Sequence, residues 1–141
     1  MRTLGLVLLG ATLVTAAHGQ ELDWKQVDDV LGRTATVIQD VHRYGFPRTD
    51  LNVTLDGVTI KPAFALGGWV AFKPMGNQAM VMGDLVLTEN EVNPVMARVL
   101  ADGMEVTAVH NHLLRASPAT FYMHIGGHGD PVKMAGDARK R

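Results

Sequence analysis

The sequence contains no cysteine. That excludes disulfides, thiolate metal sites, a cysteine nucleophile and a lipid attached to an N-terminal cysteine. It also lacks any block of like charge apart from the terminal Arg139-Lys140-Arg141, and its net charge is −1. Nucleic-acid binders carry a basic face, so no nucleic-acid partner is expected. A long apolar run is missing too. The N-terminal stretch Leu4 to Val14 has eleven residues, against about 20 for a helix that spans a bilayer. Aromatic residues are only 6% of the chain, yet 47% is hydrophobic, so the core must be built mainly from Val, Leu, Ile and Met.

What is present at the N-terminus reads as a secretory signal peptide over residues 1–19. Arg2 supplies the positive region, Leu4 to Val14 the apolar region, and Ala17-His18-Gly19 the small residues of a cleavage site. The expected mature chain, residues 20–141, is a single domain without a transmembrane segment, periplasmic or secreted.

Within that domain, Asp23 is an N-cap signal for a helix over Trp24 to Leu31, and Gly32 is placed to end it. Tyr44-Gly45-Phe46-Pro47-Arg48 reads as loop. Leu51, Val53 and Leu55 alternate as in a half-buried strand, and Asp56-Gly57 signals a hairpin into Val58 and Ile60. Strands are expected over Phe64 to Phe72, with Gly67-Gly68 a bulge or close backbone approach, and over Met80 to Leu87, covered on both faces. A helix follows, starting either at Thr88 with Glu91 in a capping box or at Asn93 with Pro94 in its first turn. Met104 to His112 and Thr120 to Ile125 read as two more strands, and Asp130-Pro131 as the start of a closing helix. The expected fold is α+β, a largely antiparallel sheet with two to three helices packed on it.

The chemistry-bearing residues gather near the end. His110, His112, His124 and His128 lie within nineteen residues. Residues two apart on a strand share a face, so His110 and His112 can converge on one divalent ion such as zinc. Strict alternation puts His124 on the opposite face of its strand from Phe121, Met123 and Ile125. A twist or bulge would bring it to the pair, and otherwise His128 is the better third ligand. Asp130 is either a further ligand or the cap of the last helix. Asp84 interrupts an apolar strand and needs a partner, which can be Arg48, a histidine or backbone amides: it is either in a structural ion pair with Arg48 or in a site where it acts as base or ligand. In a hydrolytic reading Asp84 and Arg48 are the catalytic residues, Arg48 clamping an anion. In the competing reading the same cluster holds a small-molecule ligand or organises the sheet of a non-catalytic envelope protein. Met80 and Met82 read as core filling rather than a copper site.

Several blocks carry a resemblance. Phe46 to Leu51, Asp56 to Val58, Gly83 to Glu89, Glu91 to Val95, Val106 to Leu114, Tyr122 to Ile125 and Gly127 to Asp130 together resemble the LppY/LpqO family of exported bacterial proteins. The resemblance implies export and marks Arg48, Asp50, Asp84 and the histidine blocks as motif positions, without assigning them a reaction. Some members are lipoproteins, from which this chain departs by lacking the cysteine. Longer members carry two related halves, and this chain resembles one, which leaves open a single-repeat member, a fragment, or a chain that completes itself as a homodimer or with a second repeat.

Overall fold

The computed structural model describes residues 22–139, so the expected leader and its cleavage site lie outside the described residues. In chain order the elements are α1 (Trp24–Leu31), β1 (Thr36–Ile38), β2 (Val41–Pro47), β3 (Val53–Leu55), β4 (Val58–Ile60), α2 (Pro62–Ala65), β5 (Gly67–Met75), β6 (Gln78–Thr88), α3 (Glu89–Ala101), β7 (Glu105–His110), β8 (Ala116–Ser117), β9 (Thr120–Gly129) and α4 (Pro131–Arg139). The fold is α+β, as expected, and among the described residues no helix is long and apolar enough to cross a membrane.

Six strands form one antiparallel sheet in the order β1-β2-β5-β6-β9-β7, and a small second sheet has the order β4-β3-β8. Local chemistry sets the turns. Asp56 and Gly57 both take positive φ, 49° and 83°, in the two-residue β3–β4 turn, the conformation that Asp-Gly favours. Asp23 accepts the Gln26 N–H at 3.0 Å to cap α1, and Gly32 ends it in the left-handed region. Of the two starts open to α3, the Thr88–Glu91 capping box is the one formed, with Pro94 inside the helix.

Successive side chains of a strand point to opposite faces, and the two faces of the large sheet are used differently. One carries the main core, where Tyr44, Phe72, Leu85, Met123 and Ile125 meet Val27 of α1, Val99 of α3 and Met134 of α4. The other face is covered at one end only, where Val86 and Tyr122 pack under Val53, Ile60 and Leu66. Beyond that end it is open, and Met82 is 59% exposed. The expectation that Met80 to Leu87 is covered on both faces therefore holds only at its Leu85–Leu87 end.

Two further boundaries differ from expectation. The stretch around Tyr44 to Pro47 is strand β2, not loop, with Tyr44 fully buried. Phe64 belongs to the short helix α2 and is 81% exposed, so β5 starts only at Gly67. The glycine pair does mark a close approach: a Cβ on Gly68 would lie 3.2 Å from the Asp84 carbonyl oxygen.

Candidate functional site

The candidate site sits on the half-open face, and one irregularity builds it. Along β7 and β9, Val106 pairs with Ile125, but Ala108 then pairs with His124, so Thr107 is an extra residue in a β-bulge. A bulge shifts the side-chain alternation of its strand by one. Before it Val106 packs against the core, and after it Ala108 and His110 share a face with His124 and Tyr122. Of the two sequence alternatives, the bulge is therefore the one realised.

It brings the His110 Nε2 within 2.8 Å of the His124 Nε2. At that distance one imidazole donates an N–H to the other. Behind His124, Asp84 occupies the directly opposed position on β6, with its Oδ1 3.8 Å from the His124 Nδ1. This oxygen is buried and has no hydrogen-bond partner. A carboxylate behind Nδ1 favours the tautomer with the proton there, which makes the His124 Nε2 the acceptor and His110 the donor.

His112 lies past the end of β7, not on the strand. Its ring stacks on Tyr122 at 3.6 Å and stands 4.9 Å from that of His110. Tyr122 is fixed by donating its hydroxyl to the Ala65 carbonyl oxygen, and burial pushes its ionisation upward. Trp69, which sequence reading does not single out, lies across from Asp84 on β5 with the Arg43 guanidinium 4.8 Å above its ring. In a nearly continuous apolar run only the strand register reveals that neighbour.

Other expected members lie elsewhere. β9 runs on to Gly129, so His128 stays extended and faces out opposite Met80. Four residues of strand separate it from His124, about 13 Å, so His128 is not the third ligand. Asp130 caps α4, its Oδ1 accepting the Lys133 N–H at 2.7 Å. Among the described residues no group of three or more His, Asp or Glu is arranged to hold a metal ion. The histidines brought together are His110, His124 and, by ring contact, His112.

A family model spans residues 25–141 of the sequence. The chain belongs to the DUF1529 family. That family is described as Domain of Unknown Function (DUF1259), and the match covers nearly the whole described domain. No curated protein and no solved structure matches the chain.

In this DUF1529 domain Arg48 does not reach Asp84. Its Nε donates to Asp50, its Nη2 to Asp50 and Glu91, and its Nη1 to Glu91 and to the Val86 carbonyl oxygen. A guanidinium has five N–H donors, and these bonds engage all three nitrogens, so Arg48 is built into the scaffold and not free to clamp an anion. It ties β2 to β6 and to the first turn of α3. Of the partners open to Asp84, Arg48 is thereby removed, and the side chain that stands beside its Oδ1 is His124.

Proposed function

We propose that this is an exported protein whose histidine row binds a divalent transition metal, with His110 and His124 as ligands and Asp84 as the carboxylate behind His124. The observation that carries the reading is the 2.8 Å approach of the two Nε2 atoms backed by the buried, unbonded Asp84 Oδ1. Two nitrogens bound to one tetrahedral zinc sit about 3.4 Å apart, so a small rotation of either ring converts the hydrogen bond into a chelate. A carboxylate against the other ring nitrogen of a ligand histidine is the usual second layer of such sites. His112, exposed and held only by stacking in the described contacts, is the nearest further imidazole. With few protein ligands, positions remain for water, as hydrolytic chemistry requires. Imidazole donors without thiolate suit Zn, Cu, Ni or Fe. Export rests on the leader signals at residues 1–19 and on the LppY/LpqO resemblance.

The second reading is a non-catalytic envelope domain in which the row is a hydrogen-bonded feature. The stack of His112 on Tyr122 favours it, because that stack satisfies the ring without an ion. One experiment separates the two. Protein recovered from outside the cytoplasm is sequenced from its N-terminus and titrated calorimetrically with Zn²⁺, beside His110→Ala and His124→Ala. The expected result is a chain beginning at Gln20 that binds zinc, with affinity falling as pH drops because protons compete for imidazole. Either substitution should weaken binding at least about tenfold. A chain still beginning at Met1 removes the export half of the reading. Wild-type protein that binds no tighter than the variants removes the metal half and leaves the structural one.

A further inference from the structure

On the sheet face opposite the histidines, a cleft of about 220 Å³ lies beside α3, with Asp137 of α4 at its edge. Leu85 and Ile125 of the sheet form its floor, Val95 and Val99 of α3 one wall, and Met104 closes an end. These walls are aliphatic, and water in such a space finds too few hydrogen-bond partners to be held.

Charged groups ring the mouth, and their existing bonds differ. Glu91 accepts from Arg48 and from the Thr88 N–H. Asp137 has Lys133 at 3.4 Å. Arg98 donates its Nε to Asp102 at 2.5 Å. The two terminal nitrogens of Arg98 make no other hydrogen bond among the described residues, and its side chain is 43% exposed. The carboxylates thus carry their own countercharges, while Arg98 keeps donors for an anion in the fork geometry that suits a carboxylate.

We propose that this cleft binds a short-chain carboxylate, its alkyl tail among Leu85, Val95, Val99, Met104 and Ile125 and its head on the Arg98 guanidinium. The cleft has room for an alkyl tail of several carbons, and octanoate is the probe for it. The site is independent of the histidine row, so its success or failure says nothing about metal binding.

The test is calorimetric titration of the full chain with octanoate, butyrate and 1-octanol. Octanoate should bind saturably, and butyrate, with too little tail to fill the cleft, at least about tenfold more weakly. Arg98→Gln should weaken octanoate at least about tenfold and leave octanol unchanged. Val95→Phe fills the cleft and should abolish binding of both, and Val95→Leu, a smaller intrusion, serves if the larger side chain disturbs the fold. Absence of saturable octanoate binding at millimolar concentration overturns the proposal. So does binding that survives both Val95 substitutions in folded protein. Octanol binding as tight as octanoate, with Arg98→Gln silent, overturns the assignment of a carboxylate head.

Discussion

At the scale of single residues, Asp84 shows what a sequence can and cannot carry. A carboxylate in an apolar run has to be buried and has to be near something polar, and both follow from composition alone. Its side chain is 15% exposed, yet its Oδ1 makes no hydrogen bond, and of the partners open to it the one beside it is His124 and not Arg48. Which residue stands opposite depends on strand register, and alternation is unreadable in a strand apolar on both faces. The conflict between the His110 and His124 faces pointed to a twist or bulge, but its place at Thr107 was not legible, because nothing in Val106-Thr107-Ala108 departs from a regular strand pattern. A prediction follows from the missing hydrogen bond. Asp84→Asn breaks no hydrogen bond to the Oδ1, so the melting temperature should hardly fall. Zinc affinity should still drop about 10- to 100-fold, because the amide no longer polarises His124. Thermal melts and zinc titrations of the variant check both halves. A strongly destabilised variant would mean that Asp84 carries structural bonds, and unchanged affinity would remove it from the site.

At the scale of elements, the periodic segments were the legible ones. The caps of α1, the Thr88–Glu91 box and the Asp56-Gly57 turn each follow from local chemistry and each is present. β2 was obscured because Gly45 and Pro47 look like loop residues. The signal beneath them was His42, Tyr44 and Phe46 alternating onto the core face. What joins elements was not legible, and Arg48 is the main case. Its hydrogen bonds pull the Asp50 carboxyl below the ordinary range. For Glu91 burial pushes upward, but bonds from Arg48 and Thr88 outweigh it and leave the group lowered. A carboxyl lowered in the fold contributes stability above its unfolded value and loses it as pH falls through the folded value. Arg48→Gln should therefore destabilise the fold by about 1–3 kcal/mol at neutral pH. It should also flatten the loss of stability below about pH 4.5. Urea denaturation of both proteins from neutral pH into the acid range measures it. Parallel curves for variant and wild type would show that the Arg48 bonds contribute nothing to the acid transition.

At the scale of the whole molecule, the division of labour between the sheet's faces explains why α+β was readable and the site only partly so. Helical stripes and alternating strands announce that one face must be buried. They do not say how much of the other face a three-strand sheet will cover, and that coverage leaves the histidine row at the border of the open part. The helical face depends on α1, which holds the β2 end of the sheet through Trp24. Its indole stacks on His42 at 3.8 Å with the planes 12° apart. Burial against that ring lowers the His42 ionisation, and the Asp28 and Asp40 carboxylates oppose the shift without cancelling it. The folded protein therefore takes up this proton less readily than the unfolded chain. Stability from this contact is complete above the ordinary histidine value and is lost as pH falls from there through the folded one. His42→Phe keeps a flat ring on Trp24 and removes the titration. Between about pH 7.5 and about pH 5, the wild type should lose more of its unfolding free energy than the variant does. Denaturant melts at the two pH values decide it, because the other histidines are common to both proteins and cancel in the comparison. A variant that loses as much stability as the wild type would show that the α1 contact is indifferent to protonation.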